Sequence, residues 1–213
     1  MRMFKSVNKS AAPAAVFAAV LSGCAGVGPQ MESWVPAPVG ATWEIAQRNT
    51  GSYGKDTQLK TTRDADTTWQ GAPVIAMATS QGGTLIARPG DGNWIVVLGR
   101  DGKPAVSFDP PIGWQYPLKV GKTWTTRHRM TMHATGNSVE FDFSCNVEDF
   151  EKVTVRAGTF DAFRVRCKTN LGADDTYWSS PGLGPFVKTR LLRDARHPAG
   201  AGTQESELVA KSF

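Results

Sequence analysis

The three cysteines of this 213-residue chain, Cys24, Cys145 and Cys167, are its most reactive side chains. Strand alternation places Phe141, Phe143 and Cys145 on one face, and Phe163, Val165 and Cys167 on one face of another strand, so both thiols point toward one core. In an oxidising compartment a disulfide between Cys145 and Cys167 is open to them. If Val153 to Arg156 forms a separate strand between the two, a regular meander holds their Cα atoms beyond the roughly 7 Å that a bridge allows. A bridge therefore predicts a bulge or a non-adjacent pairing; two buried free thiols are the alternative.

The remaining inventory is poor in catalytic and metal chemistry. His128 and His133 are five apart, on opposite faces of a strand, and His197 sits in the loop Arg196-His197-Pro198. Neither H-x-H nor H-E-x-x-H occurs, and no metal ligand or cofactor is predicted. Ser107, Ser179 and Ser180 lack a G-x-S-x-G setting. Asp174-Asp175, in a Gly-containing stretch, reads as a solvated turn. No nucleophile, base and orienting group can be assembled, so no catalytic residue is predicted.

Binding chemistry is better represented. Alternation groups Arg164, Arg166 and Lys168, then Arg127 and Arg129, then Lys188 and Arg190, which would make a basic surface for an anionic envelope polymer such as lipopolysaccharide or peptidoglycan. Glu140 and Asp142 occupy the corresponding face of a nearby strand, and cross-strand ion pairing serves equally. Trp43, Trp69, Trp94, Trp114, Trp124, Tyr177 and Trp178 either line the cavity of a curved sheet or fill a core.

The elements that must carry these residues are short strands rich in Thr, Val, Trp and Phe, punctuated by Gly, Asp, Asn and Pro. Asn93 to Leu98 and Ala105 to Phe108 flank an Asp101-Gly102 turn, and Val153 to Arg156 and Phe160 to Cys167 flank Gly158; both read as hairpins. No amphipathic helix of more than three turns is evident. Val39-Gly40-Ala41-Thr42-Trp43 returns as Val120-Gly121-Lys122-Thr123-Trp124. The expectation is an all-β fold, its antiparallel sheets forming a sandwich or a partly open barrel, in one domain over 39–213 with weakly repeated halves at 39–115 and 116–213. Residues 24–38, small and Pro-bearing, read as a flexible tether.

Before that tether, Arg2, Lys5 and Lys9 precede an apolar run from Ala11 that ends in Leu21-Ser22-Gly23-Cys24. A basic head, a stretch too short to span a bilayer comfortably and small residues at its end suit a helical export signal over 1–23. Taking those three cations from the 24 Lys+Arg leaves 21 against 19 Asp+Glu, so the formal +5 falls to +2 and gives no argument for a nucleic-acid partner. The ending resembles the lipobox of bacterial lipoproteins. That resemblance implies cleavage before Cys24, a diacylglycerol thioether on its sulfur and acylation of the new amine. Ala25 replaces the Asp typical of inner-membrane retention, which implies the outer membrane, facing the periplasm.

At Pro117 to Trp124, Val153 to Val165 (VTVRAGTFDAFRV) and Thr176 to Lys188 (TYWSSPGLGPFVK), the chain resembles a loose group of envelope proteins and lipoproteins of Gram-negative bacteria. The resemblance spans about Tyr116 to Arg193 and implies an all-β fold without carrying an activity. The function expected is a lipid-anchored envelope protein with a non-catalytic binding or assembly role, attached to the membrane through its lipid. A carrier of a hydrophobic ligand in a curved β-sheet cavity is the alternative, and a hydrolase the third.

Overall fold

The computed structural model describes residues 28–213. The signal segment 1–23, with its expected helix, and Cys24 lie outside the described residues. Fifteen strands follow: β1 (Gln30–Met31), β2 (Thr42–Gly51), β3 (Thr57–Arg63), β4 (Thr67–Trp69), β5 (Ala72–Thr79), β6 (Thr84–Ala87), β7 (Trp94–Leu98) and β8 (Pro104–Ile112) in the first half. The second half holds β9 (Leu118–Lys119), β10 (Thr123–Met132), β11 (Asn137–Val155), β12 (Gly158–Thr169), β13 (Asp174–Ser179), β14 (Lys188–Arg193) and β15 (Gly202–Lys211). All pairings are antiparallel, and the described residues contain no helix.

The sheet is a meander that closes on itself. Leaving out β1, β9 and the short β4, each strand pairs with the next in sequence, and β15 returns to β2 over a register running from Gly202↔Gly51 to Lys211↔Trp43. Twelve strands thus form an up-and-down barrel, six from each half. The seam that closes the first half is β3–β5, with three register pairs from Thr61↔Thr79 to Arg63↔Met77. Closure removes the open edges that a partly open barrel would have left.

Because neighbours alternate in direction, β2, β5, β7, β10, β12 and β14 all start at one end, the end where the described chain begins. Five turns of four or five residues and the longer 194–201 loop occupy the far end. The N-terminal end carries the longer segments 28–41, 88–93, 113–122 and 180–187, and these plug it. β1 pairs with β9, Met31 lies opposite Leu118, and both are buried. Trp34 Nε1 donates to Gly184 O at 2.9 Å, and a Cβ on Gly92 would fall 2.6 Å from the Trp34 ring. Ala37 is buried beside Trp43 and Leu208. The expected tether over 24–38 is therefore corrected from residue 30 onward: the segment carries apolar side chains that the barrel end needs to cover its core.

The two Val-Gly-X-Thr-Trp stretches adopt one geometry. Gly40 and Gly121 have φ of +80° and +86°, a region open to glycine. Gly40 N bonds Arg63 O at 2.8 Å and Arg63 N bonds Ala41 O at 2.9 Å; Gly121 N bonds Val147 O at 2.8 Å and Val147 N bonds Lys122 O at 2.9 Å. Each stretch feeds the first strand of a six-stranded half and delivers a buried Trp, Trp43 or Trp124.

Three clusters make the core. Met31, Trp114, Leu118, Trp124 and Phe163 belong to the one around the cysteines, while Trp43, Ile75, Val187 and Leu208 belong to the one beside β2 and β15. A smaller one, Val74, Ala76, Ile86 and Val96, is covered by Trp69 of β4, so β5 is buried on both faces and reads as a continuous apolar run.

Candidate functional site

Cys145 and Cys167 face each other directly in the β11–β12 ladder, Cα to Cα 4.1 Å, and form a disulfide. The separate strand expected at Val153 to Arg156 does not exist: Val153 to Val155 are the last residues of β11, which runs unbroken for 19 residues, and Arg156 begins the turn. A register shift between Val147 and Asp149 leaves Glu148 as the extra residue of a β-bulge, which bends the lower part of the hairpin over the barrel end. There Ala157 N bonds Leu208 O at 3.2 Å. The β11–β12 turn is Arg156-Ala157, followed by Gly158 at φ +133°.

The basic residues lie on the outer wall, where the register sets carboxylates beside them. Arg127 Nε meets Asp142 Oδ1 at 2.9 Å and Arg129 Nη2 meets Glu140 Oε1 at 2.8 Å. Arg166 grips Asp174 through Nε and Nη2 at 2.7 and 2.6 Å, and Lys168 Nζ is 3.6 Å from the same carboxylate. Arg164 sits among Glu148, Asp149 and Glu151 at 3.3, 3.7 and 3.6 Å. Arg190 reaches Glu205 at 3.6 Å, and Lys188 lies over the Trp178 ring, 5.2 Å from its centroid. The wall is thus a ladder of alternating charge, the ion-paired alternative; these pairs hold the Asp142, Glu140 and Asp174 carboxyls below their usual range.

Over β10–β12 this wall forms an open groove of about 510 Å³, whose lining includes Thr125, Ser144, Asn146, Glu148, Arg166 and Lys168. Thr125 and Ser144 share a hydroxyl hydrogen bond of 2.9 Å across it. Its donors and acceptors suit hydrogen bonding to a polar polymer more than capture of a bare anion.

The inward faces change character along the barrel. Trp43 and Ile45 give way on the same face to Gln47 and Asn49, and Leu208 and Ser206 give way to Gln204. Thr57, Gln47, Gln204 and Asn49 form a continuous hydrogen-bonded chain at 2.7, 3.5 and 3.0 Å. Asp175 also turns inward. It accepts from Tyr177 Oη and Leu192 N, each at 3.2 Å, and burial pushes its carboxyl up to about 6. Asp174-Asp175 therefore opens β13 and is not the solvated turn expected. Alternation along Trp43, Ile45, Gln47 and Asn49 carries the signal of this polar interior.

The aromatic set does not line one cavity. Trp114 packs edge-on against Tyr177 at 5.9 Å and against Phe186 at 5.2 Å; Trp43 belongs to the other large cluster, and Trp178 donates to Glu151. His128 is buried, its Nδ1 donating to Pro110 O at 2.8 Å. His133, on the opposite face, lies 2.9 Å from Ser107 Oγ through Nε2, a contact not visible in the spacing. That pair is exposed, and among the described residues no carboxylate hydrogen-bonds the His133 Nδ1 that a relay would need oriented.

Comparison with solved structures places this meander among known folds. An exported protein of Bacteroides fragilis described as having a YmcC-like fold matches with a TM-score of 0.51 at 17% identity, covering 85% of this chain and 100% of that one. The fold is YmcC-like. A lipoprotein of Parabacteroides distasonis matches at 0.44 and 11% identity, covering 85% and 99%. The hypothetical lipoprotein YmcC of Escherichia coli matches at 0.45 and 13%, covering 83% and 86%. No family model and no curated protein matches the sequence.

Proposed function

We propose that the chain is a lipid-anchored envelope protein, attached through Cys24 to the outer membrane and facing the periplasm, which acts by binding and not by catalysis. The observation that supports this reading is the seating of residues 30–41 on the barrel end, which leaves Cys24 six residues from a folded body. The groove over β10–β12 is the contact surface, and its ligand is an envelope polymer taken up by hydrogen bonding. Separation of the aromatic residues into several packed clusters gives the hydrophobic-carrier alternative no support.

Cys24→Ser should block processing or release the protein from membranes in cell fractionation, and density-gradient separation should put the wild type with outer-membrane markers. A wild-type-like mature membrane form of the variant overturns the anchor. For the groove, purified peptidoglycan sacculi should co-sediment the wild type and not Asn146→Trp, which fills the groove. Equal sedimentation of a folded variant removes the groove as the binding surface.

A further inference from the structure

The N-terminal end of the barrel carries more than a plug. Five large apolar side chains of the described residues are exposed: Val39 at 59%, Val120 at 50%, Val35 at 48%, Trp94 at 39% and Leu192 at 36%. The first four all belong to the end where the described chain begins. Val39 and Val120 occupy the two equivalent Val-Gly turns, six strands apart around the ring; Val35 lies in the plugging segment, and Trp94 opens β7 at the same rim. Single exposed apolar residues are ordinary on soluble proteins. Here they converge on one end, and both equivalent turns expose their valine.

We propose that this end of the barrel docks on the bilayer that holds the Cys24 lipid, with Val39, Val120, Val35 and Trp94 entering the headgroup region. The inference rests on the Cys24 anchor. An extended chain gains at most about 3.6 Å per residue, so the four steps from Cys24 to Gly28 span no more than about 14 Å. A thioether-linked lipid seated in the leaflet therefore brings the Gly28 end, and no other, to the membrane surface. Lys119 and Lys122 flank Val120, and no carboxylate among the described residues forms a salt bridge with either. Repulsion from Lys119 adds to burial in lowering the Lys122 ammonium pKa. Lys122 Nζ already donates to Gln115 O and Pro117 O, so Lys119 is the cation of the two left to meet a phosphate headgroup, and a tryptophan at the rim suits the interface, where an apolar ring and a polar N–H are both satisfied. Exposed Glu32 shares this end, so insertion of apolar side chains and not net charge is what the contact uses.

The full-length mature lipoprotein in vesicles of phosphatidylethanolamine and phosphatidylglycerol tests this. Val39→Cys, Val120→Cys and Leu192→Cys each add one free thiol, because Cys145 and Cys167 are bridged and Cys24 is acylated; each is spin-labelled. The ratio of oxygen to nickel-complex accessibility should be several-fold higher at 39 and 120 than at 192. Equal, aqueous ratios at all three positions in protein that mass analysis shows to be acylated and that floats with the vesicles overturn the docking while leaving the anchor intact. Unacylated protein that fails to float sinks the anchor and the docking with it. Spin–spin broadening at 39 or 120 that grows with protein density assigns the face to a second copy and refutes the membrane assignment.

Discussion

Reducing the Cys145–Cys167 bridge should lower the stability of the barrel by an amount the structure allows to be worked out. The bridge spans 22 residues, and it joins the two longest strands of the barrel. Cross-linking such a loop removes about 11 cal/mol/K from the unfolded chain, or about 3 kcal/mol at 25 °C. For a chain of this size each kcal/mol moves the midpoint of thermal unfolding by about 2–4 °C, so full reduction should lower it by about 6–12 °C. Both cysteines are within 4% of complete burial, among Phe143, Val165 and Trp124. Cys145→Ala with Cys167→Ala therefore adds the loss of packed sulfur to the loss of the cross-link and should fall below the reduced wild type. Guanidinium titrations of oxidised, reduced and doubly substituted protein order the three, with alkylation and mass analysis counting free thiols. An unchanged midpoint on complete reduction refutes the loop-closure reasoning. Alkylation of both thiols in unfolded, unreduced protein refutes the bridge itself.

Asp175→Asn should stabilise the protein above pH 6 and leave it unchanged near pH 4. Burial holds the native carboxyl proton to about pH 6, whereas the unfolded chain releases it near 3.8. The folded state thus binds more protons between those values, and stability falls as pH rises through that window. The amide keeps an acceptor for Leu192 N and removes the titration. Denaturation midpoints at pH 4.5 and 7.5 that differ equally in variant and wild type would sink this account. Gly184→Ala should loosen the plug: the residue has φ +87°, and an added Cβ would fall 2.7 Å from Ala37 N. Strain of this kind costs on the order of 1–3 kcal/mol, and limited proteolysis should then cut within 28–41 in the variant and not in the wild type. Equal resistance would show that the Trp34–Gly184 contact does not hold that segment in place.

The hairpins, the all-β class and the repeated Val-Gly turn were legible because each depends on local chemistry: Asp101-Gly102 and Gly158 permit tight turns, and alternation over β10–β12 sorts inward from outward residues. The charge ladder was legible only as a choice between free and paired cations. Which carboxylate faces which guanidinium depends on register, and around Arg164 register changes at the bulge at Glu148, which has no sequence signature. For the same reason the strand at Val153 was misread as separate: nothing in Val147-Glu148-Asp149 distinguishes a bulge from a break.

The tether was misread for a reason that belongs to the barrel as a whole. Eight strands make a ring just wide enough for its own side chains to fill, so a twelve-stranded ring has an interior and an end that other segments must close. Residues 28–41, 113–122 and 180–187 supply that closure, and none shows a period of 2 or 3.6. In the first, Met31, Trp34 and Ala37 recur every three on the covered side, with Glu32, Ser33 and Val35 exposed between them and Pro36 half-buried beside Ala37. An extended Pro-bearing segment with about three residues per turn presents such a set on one side. Composition alone made this stretch a linker, whereas its period marks it as a packed cover. The end that it covers is also the one nearest Cys24, so the segment that completes the fold also fixes how the fold would stand on a membrane.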